Sequence, residues 1–463
     1  MADVEVERRA APRYVPNDPA LSAPEPGAVD PAAGTTIQWW AARSNFPQAW
    51  DVARGDGARV AIIDTGVEST HPDLVDRVAL AQSFDAIGRV ATTDEIGHGT
   101  HVASLACAAS DNGVGLAGAG LGCKVLAIRS DFTDSSVAAS IVWAADHGAH
   151  AINMSFGTDP GTVASRAVLN AIDYAVARRV VLVAAAADEA VEDQGYPANV
   201  LQPTGSGPVL EQGRGLTVTA ADFADARAPF AGRGSQISLA AYGAYSTREG
   251  PRGIFGAFTA QVNALETGDF GATPRPPCRC RALLGEDNRY AYLQGTSMAA
   301  PMVAATAALM RRLNPDLDAT DVAQTIKATA RRSPDSVWNA ELGWGILDAG
   351  AAMLAARTLD RRAPASKIRS APTRTRRSVI TLRWRGSDDA PRGVVASGVR
   401  RYELWRALNG RRAQPLAETK ATTKRVRLRR GGRYAFYTVA IDAAGNRERT
   451  PLRPDVRISV PAR

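Results

Sequence analysis

The sequence predicts an α/β domain built on a doubly wound, mostly parallel sheet, followed by a small all-β sandwich. Short apolar runs alternate with helical stretches from about Ile37 to Ala356, and period-two strands replace them beyond residue 375. The charge also reverses: residues 357–463 hold 28 Lys+Arg against 8 Asp+Glu, whereas residues 1–356 hold 27 against 39. A length of 463 residues calls for two or more domains. A hydrophobic fraction of 45% is ample for a core and excludes global disorder. No apolar run reaches the roughly 18 residues of a membrane-spanning helix.

Residues 1–35 are rich in Pro, Ala and acidic side chains, lack sustained periodicity and read as an extended N-terminal arm. Residues 36–357 carry the α/β pattern. Arg59-Val60-Ala61-Ile62-Ile63 is a short run of the kind buried on both faces of a parallel sheet. Val125–Ile128, Ala151–Ser155 and Val180–Ala184 repeat it. Between the last two, residues 162–178 read as a helix with Val163, Ala167, Ala171, Tyr174 and Ala175 near one face. Such alternation implies right-handed crossovers, with ligands at the carboxyl ends of strands. Asp64 directly follows Val60–Ile63, where a catalytic group belongs. Residues 358–375, rich in Arg, Pro, Ser and Thr, read as a basic linker. In 376–463, Val379–Trp384, Tyr402–Trp405 and Tyr434–Val439 alternate with period two, and Asp442-Ala443-Ala444-Gly445-Asn446 supplies a turn.

Three strings give this frame a chemistry: Ala61-Ile62-Ile63-Asp64-Thr65-Gly66, Gly97-His98-Gly99-Thr100-His101-Val102-Ala103 and Gly295-Thr296-Ser297-Met298-Ala299-Ala300-Pro301. A nucleophilic hydroxyl needs a base, and the base needs a carboxylate that holds its tautomer. Alone, a Ser opening a helix is more often its cap; an Asp, a His and a Ser in this order form a known chain order for a triad. On these strings the chain resembles the subtilisin-like serine proteases. The resemblance implies Asp64, His98 and Ser297 as the triad, with His71 and His101 packed as structural residues. The C-terminal strands resemble fibronectin type III modules.

Further roles follow from the resemblance. Ile152-Asn153-Met154-Ser155-Phe156-Gly157 resembles the strand that pairs substrate backbone, so Ser155, Phe156 and Gly157, with Ala185 and Ala186, would line the specificity pocket. Ser297 N–H would face the oxyanion. The family usually has Gly-Asn where this chain has Ala187-Asp188. An ionised Asp accepts hydrogen bonds only, and losing that donor costs roughly a hundred- to a thousand-fold in rate, a scale set by a subtilisin itself. A protonated Asp188 could donate instead. No cofactor is required for the chemistry, while Asp73 and Asn112, with backbone oxygens of 112–116, resemble a structural calcium site. Protein or peptide substrates are expected of a monomer, without nucleic acid; the basic tail suits an anionic surface.

The four cysteines allow three connectivities; Cys107 and Cys123 flank a Gly-rich turn and could bridge, and free thiols are the alternative. Met1–Arg9 lacks the apolar core of a signal peptide. Tyr14-Val15-Pro16-Asn17-Asp18-Pro19 resembles the segment that follows the family's pro-domain, so the expectation is a secreted enzyme whose leader lies outside this chain; a cytoplasmic protein is the alternative. Asp188 supports one rival reading, a relic protease that binds through its basic C-terminal domain.

Overall fold

The computed structural model describes residues 14–27, 35–245, 251, 253–270, 274–332 and 337–462. Residues 1–13 and 28–34 of the expected arm lie outside them. The chain divides into two compact units, Met1–Ala356 and Arg357–Arg463.

The first unit is organised by seven parallel strands: β1 (Arg59–Asp64), β2 (Val78–Phe84), β3 (Lys124–Ser130), β4 (Ala151–Met154), β5 (Val181–Ala185), β6 (Leu216–Ala221) and β7 (Leu239–Tyr242). Their order is β2-β3-β1-β4-β5-β6-β7, so the winding reverses at β1, whose last residue is Asp64. That switch point is where a doubly wound sheet opens a crevice. A smaller antiparallel sheet, in the order β8-β10-β9, holds β8 (Ile254–Ala257), β9 (Arg281–Leu284) and β10 (Asp287–Leu293).

Among the described residues ten α-helices flank these strands: α1 (Trp39–Arg43), α2 (Phe46–Val52), α3 (His98–Cys107), α4 (Asp134–Asp146), α5 (Arg166–Ala177), α6 (Ala198–Leu201), α7 (Ala264–Thr267), α8 (Thr296–Leu313), α9 (Ala319–Thr329) and α10 (Ala349–Thr358). Ala61 and Ile63 of β1 share one core with Val137 and Ile141 of α4 and Val168 and Ile172 of α5. Alternation along β1 sends Asp64 to the other face, where α3 and α8 pack. Within the described residues no helix is long and apolar enough to cross a membrane.

Three expectations need correction. The helix expected over 162–178 begins at Arg166, because the Ser165 side chain accepts from Val168 N–H and caps it there. Its buried face is Val168, Ala171, Ile172 and Ala175, while Val163 is 85% exposed outside the helix and Ala167 is also exposed. The expected linker 358–375 contains a strand, β11 (Ala365–Ser370), whose Arg- and Ser-rich composition hides the one buried position, Ile368. The arm is not merely extended: Pro19–Leu21 forms a 3-10 turn, Asp18 and Ala20 are buried, and Ala20 N–H donates to Gly115 O. The cysteines pair as Cys107–Cys123 and Cys278–Cys280.

The second unit adds β12 (Val379–Ser387), β13 (Val399–Leu408), β14 (Gln414–Thr419), β15 (Thr423–Arg427), β16 (Arg433–Asp442) and β17 (Val456–Ser459). Two antiparallel sheets, β11-β12-β15 and β14-β13-β16-β17, enclose Leu382, Trp384, Leu404 and Phe436. Alternation along each strand supplies this core.

Candidate active site

Asp64 ends β1 almost wholly buried, and its Oδ1 lies 2.7 Å from His98 Nδ1. A carboxylate can only accept, so the proton sits on Nδ1 and Nε2 keeps its lone pair. Oδ1 also accepts from Thr65 N–H at 2.8 Å, which fixes the carboxylate plane. Burial disfavours the His98 imidazolium; the charge and hydrogen bond of Asp64, with charge from Asp94 and Asp188, more than offset it and raise the pKa above its ordinary value.

His98 opens α3 behind Gly97, whose φ of +94° and closeness to Asn263 and Phe258 leave no room for a β-carbon. The residue that organises this entry was not singled out from sequence. Asp94 is buried and accepts from Thr65 Oγ1, Ile96 N–H, Gly97 N–H, Thr100 N–H and Thr100 Oγ1. Its only sequence signal is an Asp shortly before the helix, a capping pattern.

Ser297 is the second residue of α8, and its N–H donates to nothing among the described residues, as expected in a first helical turn. Pro301, four residues on, has no N–H to give to Ser297 O. Ser155 Oγ fills that place, donating to Ser297 O at 2.9 Å, while Ser297 Oγ donates back to Ser155 O at 3.1 Å. The structure thus pairs Asp64 with His98 and Ser297 with Ser155. His71 and His101 are fully buried and bond to backbone: His71 to Arg289 O, His101 to Ile254 O and Ala291 O. Burial lowers their pKa values to about 4 and about 3.

Asp188 follows β5 and is exposed. Its Oδ1 accepts from Thr296 N–H at 2.8 Å and Thr296 Oγ1 at 2.9 Å. Its Oδ2 takes no hydrogen bond among the described residues and lies beside Gly295, 3.0 Å from where a β-carbon would stand. Of the expected substrate strand, β4 is interior, between β1 and β5. Only residues 155–157 project beyond it. Ser155 is buried, Gly157 exposed, and Phe156 lies against Phe132 with ring centroids 5.0 Å apart. Ala185 and Ala186 are buried nearby at the end of β5.

The expected metal residues divide. Asp73 is fully buried; Oδ2 accepts from Leu116 N–H at 3.3 Å, Oδ1 has no hydrogen-bond partner among the described residues, and burial pushes its pKa to about 8. Asn112 is exposed in an Asx turn, its Oδ1 accepting from Val114 N–H at 2.9 Å. Asp18, not foreseen, is buried beside this loop with its Oδ1 also unpartnered. Gly115 has φ +56°, and a β-carbon there would stand 1.9 Å from Asp73 Oδ2. Two orphaned carboxylate oxygens and this cradle fit a hard cation.

A profile described as Subtilase family matches residues 55–345. The chain belongs to the subtilase family. It is a serine endopeptidase, a hydrolase, in line with the relatives it matches. Thermitase of Thermoactinomyces vulgaris is 31% identical over 303 residues, covering 64% of this chain and 85% of thermitase. Subtilisin BL of Lederbergia lenta is 30% identical over 301 residues, covering 64% of this chain and 91% of its own length. A solved structure of proteases from Pseudoalteromonas arctica aligns with a TM-score of 0.58 at 27% identity, covering 74% of this chain and 100% of that one.

Proposed function

We propose that this chain is a secreted endopeptidase that cleaves peptide bonds through an acyl-enzyme on Ser297, with His98 as base and Asp64 as its orienting carboxylate. The observation that carries the reading is the Asp64–His98 bond, which leaves Nε2 as the proton acceptor. Rotation about χ1 frees Ser297 Oγ from Ser155 O and offers its proton to Nε2 as Oγ attacks the carbonyl carbon. The unpartnered Ser297 N–H meets the developing oxyanion. His98 then gives the proton to the leaving amine, and water repeats the sequence on the ester. Residues 155–157 pair the substrate backbone. A fluorophosphonate probe should label Ser297 and leave Ser297→Ala unlabelled; probe found on another residue by mass spectrometry would overturn the assignment.

Calcium, held by Asp73 and Asp18 with the 112–116 loop, suits the orphaned oxygens and would serve stability rather than chemistry. Chelation should lower the unfolding temperature, and calcium at about 100 times its Kd should restore about 2.7 kcal/mol. Asp18→Asn should blunt that recovery, measured by calorimetry; an identical response would remove Asp18 from the site.

The second unit reads as a fibronectin type III-like sandwich, its strands divided three and four between the sheets. A groove of about 730 Å³ rimmed by Arg411, Arg433 and Arg457 suits an anionic surface. A chain ending at Arg357 should keep its activity on a short peptide. If it is folded yet inactive, the division of labour is wrong.

A further inference from the structure

A second polar site lies at the opposite end of the main sheet. Arg59 starts β1 and Asp64 ends it, so the two are separated by roughly 16 Å at 3.3 Å per residue. Around Arg59 a pocket of about 360 Å³ is lined by Gly57, Gly148, His150, Arg311, Arg312 and Pro315. Its polar side chains are three guanidiniums and one imidazole.

The imidazole is itself a donor. His150 Nδ1 lies 3.1 Å from Arg59 N, and a backbone amide can only donate, so Nδ1 carries the lone pair and Nε2 the proton. Burial, then the charges of Arg311, Arg312 and Arg59, lower the His150 pKa to about 4, which keeps this tautomer neutral at pH 7. Nε2–H has no acceptor among the described residues.

Nor do the guanidiniums have carboxylate partners among the described residues. Arg59 donates to His147 O, Arg312 to Asp56 O and Arg311 to Pro315 O and Leu317 O, all backbone carbonyls. Arg311 Nε is buried and unpartnered. Asp316, Asp318 and Asp321 act on Arg311 from a distance, and none forms an ion pair with it among the described residues. Two arginines in the last turn of a helix ordinarily answer its dipole. Here Arg59 of β1 and His150, the residue before β4, join them, giving a set of side chains that can only donate into the pocket.

We propose that this pocket binds a tetrahedral oxyanion of the phosphate class, held by Arg59, Arg311, Arg312 and the Nε2–H of His150. Guanidinium forks match such an anion bidentately. The volume exceeds one phosphate, so a phosphate monoester fits as well as the free ion. Binding at the amino ends of the strands stabilises the domain and leaves hydrolysis of a short peptide unchanged.

Isothermal titration of the full chain tests this, with inorganic phosphate and glycerol phosphate as probes against sodium chloride at equal ionic strength. The expected result is saturable one-to-one binding, weakened about tenfold or more in Arg312→Ala and in Arg59→Gln. Both side chains are exposed, so folding should survive either change. Tighter binding of glycerol phosphate would identify a monoester ligand; equal binding would identify the free ion. No saturable binding of either probe, or undiminished binding by both variants, overturns the proposal.

Discussion

Replacing Ser297 by alanine should lower kcat by about a millionfold, the scale found when a subtilisin loses its own nucleophile. His98→Ala should cost nearly as much, and the double variant little more, because nucleophile and base act as one unit. The residual rate should still exceed that in water, since the free Ser297 N–H remains. Stopped assays of kcat and KM on one peptide read this. A His98→Ala enzyme within tenfold of the parent would place the base elsewhere.

Asp188→Asn should act in the opposite direction. Asn can keep its Oδ1 on Thr296 N–H and Oγ1, as Asp188 does at 2.8 and 2.9 Å. Its amide then replaces the unbonded Oδ2 with a donor. If that atom faces the oxyanion, kcat/KM rises by about a hundredfold, within the range such donors supply. A second effect follows from His98. Its raised pKa owes part to the Asp188 charge. With His98 as the proposed base, activity needs the neutral imidazole and is lost as pH falls through that pKa, so removing the charge should move the acid limb to lower pH. A variant with the limb moved and the plateau unchanged would mean Asp188 tunes the base without facing the oxyanion.

Features written in consecutive residues are legible from the sequence. β1 and its terminal Asp64 were legible because a strand buried on both faces leaves an unbroken apolar run. The Asp64–His98 contact was legible only through family resemblance, since 34 residues separate the partners. Asp94 and Asp18 were missed for a physical reason. Their importance lies in burial and in the amides that surround them, and neither leaves a periodic trace. β11 was hidden because its single buried side chain, Ile368, cannot generate a pattern among Lys, Arg and Ser. On α5 the expected Ala171 and Ala175 are buried, but Val168 and Ile172 complete the face, and the Ser165 cap on Val168 N–H leaves Val163 outside the helix.

The boundary after Ala356 divides the chain by charge as well as by contacts. The two sides have opposite signs, and the modest net charge of +8 is their difference. A single backbone cut at this boundary, including one made by the enzyme on itself, would therefore yield two fragments that migrate toward opposite electrodes at neutral pH. Electrophoretic mobility, rather than mass, then becomes the more sensitive gauge of self-digestion during storage. The catalytic fragment would elute from a cation exchanger that still retains the intact chain.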